Sequence, residues 1–172
     1  MADHKSAIPY ILKNEGGFWQ DPNGGYTYCG ITQKNFPNID LWDLLEPYGE
    51  LTHGQIINDP QIQASVINFY YTQQWSQIKG DGITEQNIAT YFYDFYVNAG
   101  HNATKCVQRC IGVPDDGLFG NGSLNALNDA GDCLSALHDA RVAYYNEIGV
   151  GRNASFLSGW LNRANGLYEK LS

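Results

Sequence analysis

The first seventeen residues constrain this chain most: a helical run closes on Glu15 and is stopped at once by Gly16-Gly17. Ile8, Ile11 and Leu12 share one helical face, Pro9 suits a first turn, and Ser6 is the expected N-cap. A glycine just past the last turn supplies the left-handed conformation with which many helices end. Glu15 is therefore placed at the negative end of a helix dipole, where a carboxylate is disfavoured. An acid held there and partly buried is suited to donating a proton. A solvated glutamate at a helix end is the plain alternative, and the residues that follow weigh against it.

Asp21-Pro22-Asn23-Gly24-Gly25 reads as a turn, and Tyr26-Thr27-Tyr28 carries strand-forming side chains. A short β-hairpin or irregular glycine-rich loop is expected after the first helix. Such a loop folds back over the helix end and brings Asp21, Thr27 and the tyrosines towards Glu15. Glycoside hydrolysis uses a proton-donating carboxyl, a second carboxylate or hydroxyl that holds water, and aromatic platforms for the sugar rings. Asp21 before Pro22 is equally readable as a turn residue.

The rest of the chain reads as helices. Residues 38–50 form a turn-rich connection, and Asp59-Pro60 starts a helix that continues through Val66 and Tyr70 towards Ile78. Thr84 opens a helix, apolar over most of its surface, that carries Ile88, Phe92 and Phe95 through the core to Gly100. A short helix over 102–111 follows, then the turn of Asp115-Asp116-Gly117, a helix capped by Ser123, a longer one from Asp132 and a last one over 156–171. Asp115 and Asp116 lack the further spaced acids of a calcium loop. No repeat, low-complexity tract or linker interrupts the pattern.

With 172 residues and 43% hydrophobic side chains the chain can bury a full core. A net charge of −8 argues against nucleic acid as a partner, because phosphate binding needs basic patches. No apolar stretch approaches the roughly 20 residues of a membrane span, so no membrane insertion is expected. The N-terminus lacks the basic and apolar regions of a signal peptide. Cys29, Cys106, Cys110 and Cys133 have no zinc-ligand spacing, and His4, His53, His101 and His138 are scattered. Neither metal nor cofactor is expected. Buried free thiols are the expected state of the cysteines, with one disulfide through Cys133 as the alternative.

Glu15-Gly16-Gly17, Gly24-Gly25, Thr27 and Gly30-Ile31-Thr32 together resemble the signature of glycoside hydrolase family 108, the bacterial and phage N-acetylmuramidases. Tyr70 to Trp75 with Ile78 resembles that family's second helix. Asp94-Phe95, Asn98, Gly100, Val107-Gln108, Asp116-Gly117 and Gly120 resemble its peptidoglycan-binding region, and Gly159-Trp160-Leu161-Asn162-Arg163 its Gly-Trp-x-x-Arg element. The loop before the paired glycines is shorter than in the family, which leaves Asp21 as the nearest second acid, or Thr27 with backbone groups in its place.

The resemblance implies a mainly α, lysozyme-like fold in one helical body. A catalytic part would span residues 1–86, and a peptidoglycan-binding-like part residues 87–172. It implies hydrolysis of the β-1,4 bond between N-acetylmuramic acid and N-acetylglucosamine, with Glu15 as acid and Thr27 and Asp21 on the water side. Tyr26, Tyr28 and Asn98 are expected to line the glycan groove. The partner would be peptidoglycan glycan strands met by a monomer, and the place of action the cell wall or periplasm, reached by export along another route. An endolysin, autolysin or secreted lytic factor fits. A lytic transglycosylase and a non-catalytic peptidoglycan-binding or secretion-associated protein are the alternatives.

Overall fold

A computed structural model describes residues 1–20 and 25–172. Among them the chain is mainly α-helical with one small antiparallel sheet, a lysozyme-like architecture. It divides into two compact units, residues 11–73 and residues 1–10 with 74–172.

Helix α1 runs over His4–Glu15. It begins earlier than its sequence suggests, because Asp3 and not Ser6 closes its first turn: Asp3 Oδ2 accepts from Ser6 N at 3.1 Å and Ser6 Oγ at 3.0 Å. Pro9 consequently falls inside the helix, on an exposed face. The stop is where the glycines place it, with Gly16 at φ +68°.

In the unit of residues 11–73, α1 leads into strands β1 (Phe18–Gln20), β2 (Tyr26–Tyr28) and β3 (Ile31–Thr32), paired in sequence order. The register sets Phe18 against Tyr28, Trp19 against Thr27 and Gln20 against Tyr26, then Tyr28 against Ile31. Cys29 and Gly30 alone connect β2 to β3, at φ 47° and 78°, the paired positive values of a type I′ hairpin turn. The stretch expected to be a turn-rich connection contains a short helix, α2 (Leu41–Leu45), and a 3₁₀ turn at Glu46–Tyr48. Helix α3 (Pro60–Tyr70) starts as its sequence demands: Pro60 occupies the first turn, and Asp59 accepts from Gln61 N and Ile62 N. It does not remain α-helical to Ile78 but widens into a π turn over Tyr71–Trp75. Ile11, Ile31, Leu41 and Ile62 form the dry centre of this unit.

The other unit is built on α4 (Gln86–Ala99), in which every residue from Ile88 to Tyr96 is buried. Around it stand α5 (His101–Cys110), α7 (Leu134–Ile148) and α8 (Ala154–Leu171), with α6 (Asn121–Asp129) following the Asp115-Asp116 turn. Ser123 is not the cap of α6; it is buried within the helix and accepts from Gln108 Nε2 at 3.2 Å. A charged cluster lies in this apolar packing. Arg141 Nη2 donates to Asp94 Oδ2 at 2.6 Å with both side chains fully buried, and Arg163 Nη2 lies 2.8 Å from Asp94 Oδ1. The rings of Tyr91, Phe95 and Tyr145 surround the Arg141 guanidinium at 5.1–5.4 Å. Such a pair adds little net stability over an apolar core, but removing either partner typically costs about 3–5 kcal/mol.

Candidate active site

Glu15, Gly16 and Gly17 are held together for separable reasons. Gly16 takes the left-handed turn that ends α1. Gly17 has an ordinary backbone, but a Cβ there would overlap the carbonyl oxygens of Gly54 and Gln55. Those two residues bind the start of β1 as a strand would: Phe18 N donates to Gln55 O at 2.9 Å, and Gly54 N to Phe18 O at 2.7 Å. Cys29 N in turn donates to Gly17 O at 3.3 Å. The hairpin tip is thereby tied to the end of the helix that carries Glu15.

At that tip the Glu15 side chain meets Gly30. A Cβ on Gly30 would lie 2.5 Å from Glu15 Oε2 and 2.7 Å from the Tyr70 hydroxyl. Tyr70 is buried, and its hydroxyl donates to Cys29 O at 2.8 Å. The Cys29 thiol is pushed up to about 11, by burial first and then by the charge of Glu15, so it stays protonated in neutral water. The turn, the acid and the tyrosine form one packed constellation inside one unit.

The other expected site residues take different places. Thr27 is half-buried on β2, across from Trp19 on one side and Thr32 on the other. Tyr26 is 43% exposed and faces the opposite side of the hairpin, its ring 5.5 Å from that of Phe18. Tyr28 was expected on the groove wall, but it is 1% exposed and its hydroxyl accepts from Ile57 N at 2.9 Å. Burial raises the pKa of that hydroxyl. Tyr28 is thus a core residue that pins the hairpin to the segment before α3; strand alternation gives it an inner face that composition could not reveal. Asp21 lies outside the described residues. Asn98 belongs to the α4 unit, where its amide oxygen, turned to face Arg163, accepts from Nε at 2.9 Å. That contact attaches it to the Asp94 cluster.

Sequence reasoning passed over Tyr70 and Cys29 as site residues. Tyr70 sits on the apolar face of α3 and reads as plain core. The usable signal was Cys29-Gly30 between two strand-like pairs, the two-residue spacing of a tight hairpin. A cleft of about 770 Å³ opens on the Tyr26 side, lined by Phe18, Gln20, Tyr26 and Trp42 together with Asp43, Glu46 and Glu50. No cluster of three metal-ligating side chains occurs among the described residues.

The site is an acid at a helix end with a tight hairpin turn packed against it, in a mainly helical fold. The family model described as glycosyl hydrolase 108 matches residues 8–100, and one described as a predicted peptidoglycan domain matches residues 102–165. The first covers more than half of the chain, which therefore belongs to the glycosyl hydrolase 108 family. The solved structure of SagA from Brucella abortus is similar at 26% identity and a TM-score of 0.67, covering 98% of this chain and 92% of that one. No curated protein matches the chain. The protein is a glycoside hydrolase of the cell-wall class, and peptidoglycan is its partner. No helix among the described residues is long and apolar enough to cross a membrane.

Proposed function

We propose that this chain is an N-acetylmuramidase that cleaves the β-1,4 bond between N-acetylmuramic acid and N-acetylglucosamine. The observation that carries the reading is Glu15 at the end of α1, its carboxyl set against Gly30 of the tight hairpin turn. Glu15 protonates the leaving glycosidic oxygen while positive charge builds on the sugar ring. Thr27 on β2, with Asp21 as the second carboxylate, orients the attacking water. Trp19, 40% exposed and paired across the strands with Thr27, offers a ring on which a sugar face can stack. Tyr26, on the other side of the hairpin, borders the 770 Å³ cleft, where it can hold a more distant part of the strand. The place of action is the bacterial wall or periplasm, as an endolysin, autolysin or secreted lytic factor.

Glu15→Gln keeps the shape and removes the proton. It is expected to lower the release of reducing ends from purified peptidoglycan by at least roughly 1,000-fold, with an unchanged melting temperature, as loss of a group acting in the transition state does. Near-normal activity would remove Glu15 from the mechanism. Product masses from the same digest test the bond cleaved: hydrolysis leaves a reducing muramic acid, whereas a transglycosylase leaves an anhydro end lighter by one water.

A further inference from the structure

We propose that Tyr70 is the positioning residue of Glu15, acting through the Cys29-Gly30 turn, and that Gly30 is required because any side chain there would collide with both. The inference rests on Glu15 being the acid, and it adds what keeps that acid aimed. The Tyr70 hydroxyl and Glu15 Oε2 press on one point, the open side of the Gly30 Cα, at 2.7 and 2.5 Å from where a Cβ would stand. A tyrosine hydroxyl has one hydrogen, and Tyr70 gives it to Cys29 O at 2.8 Å. That bond fixes the hydroxyl beside the turn against which the Glu15 carboxyl also rests.

The tyrosine is itself closely packed. Its ring is 2% exposed and meets Phe69 edge-on at 5.6 Å, while Phe69 meets Phe36 at 4.7 Å. The hairpin turn that receives the hydroxyl is strained, because Cys29 holds φ 47° without being a glycine. Tyr70 tethers that turn to α3, and the turn bounds the space left to the Glu15 carboxyl. A general acid gains most of its rate from being held in line with the leaving oxygen, and a displacement of about 1 Å can cost about 100-fold.

The test compares Tyr70→Phe, Gly30→Ala and Glu15→Gln with the wild type on soluble glycan-strand fragments, reading kcat and KM separately and melting temperature in parallel. Tyr70→Phe keeps the ring packing and removes only the hydroxyl. It is expected to lower kcat by roughly 10- to 100-fold with KM within about twofold, since orientation and not binding is lost. Gly30→Ala keeps the hydroxyl but sets a methyl group hard against both oxygens, and is expected to show the same split per folded molecule. A purely structural role would lower the folded fraction and leave kcat per folded molecule alone. Wild-type kcat in folded Tyr70→Phe, or a rise in KM alone, overturns the positioning role. Should Tyr70→Phe fail to fold, Gly30→Ala with wild-type kcat per folded molecule overturns it equally. An inactive Glu15→Gln beside a fully active Tyr70→Phe refutes the positioning role and leaves the acid assignment standing, whereas an active Glu15→Gln refutes the acid assignment itself.

Discussion

Gly16 turns the chain at φ +68°, a conformation that costs other residues about 1–2 kcal/mol, whereas Gly17 is needed for the room it leaves to two carbonyl groups. The two are adjacent in sequence yet are expected to respond differently to alanine. Gly16→Ala meets nothing within 4 Å, so its loss should stay near the conformational cost of about 1–2 kcal/mol. Gly17→Ala must push the Gly54-Gln55 backbone away and break its bonds to Phe18, a loss of about 3 kcal/mol or more. Urea unfolding of the two variants checks the order, and a Gly16 variant less stable than the Gly17 variant would show that the strand contact with Gly54-Gln55 contributes little. The sequence reading identifies both glycines as a helix stop. The second role was not legible in it, because the partner backbone lies almost forty positions further on.

At the scale of elements, local signals were reliable where a short stretch decides the outcome. Asp59-Pro60 caps α3, the glycines end α1, and the apolar run over 88–96 is buried in α4. The beginning of α1 is ambiguous in sequence because Ser6 and Asp3 both have capping side chains, and only the folded geometry shows Asp3 accepting from Ser6. Long-range pairing was invisible for a related reason: Asp94, Arg141 and Arg163 lie on three helices, and spacing says nothing about which acid meets which base.

The histidines give this packing a pH dependence. His4 of α1 lies 3.1 Å from the Tyr93 hydroxyl of α4 and 5.5 Å from the Trp75 ring. Burial lowers its pKa below the usual 6.5, against the opposing pull of Asp81 and Asp3. His138 of α7 accompanies it: its ring stacks on Tyr168 at 4.3 Å and bonds the Tyr91 hydroxyl, and burial lowers its pKa as well. Between the lowered native value and 6.5 the unfolded chain binds more protons than the native one, so stability falls as pH falls through that window. The melting temperature is expected to hold above pH 7 and to decline from about pH 6.5 downward, before the carboxylates titrate. His4→Phe should flatten the decline that sets in below about pH 6.5. An unchanged slope in that variant would place the pH sensitivity elsewhere.

At the scale of the whole molecule, a net charge of −8 opposes approach to a wall that carries its own carboxylates and anionic polymers. At about 0.01 M salt the field reaches roughly 30 Å, and at about 0.15 M only roughly 8 Å. The encounter with intact sacculi should therefore be slowed at low ionic strength and relieved by salt, the reverse of what a basic lytic enzyme shows. The initial rate on sacculi is expected to rise about three- to tenfold from 10 to 150 mM NaCl, while cleavage of short glycan fragments, which carry only the few lactyl carboxylates of their muramic acids, changes far less, because the rate effect of a global field acts on encounter and not on bond breaking. Measuring both substrates in one salt series separates the two steps. A rate on sacculi that falls with salt would mean that a local cationic surface, and not the net charge, dominates the approach.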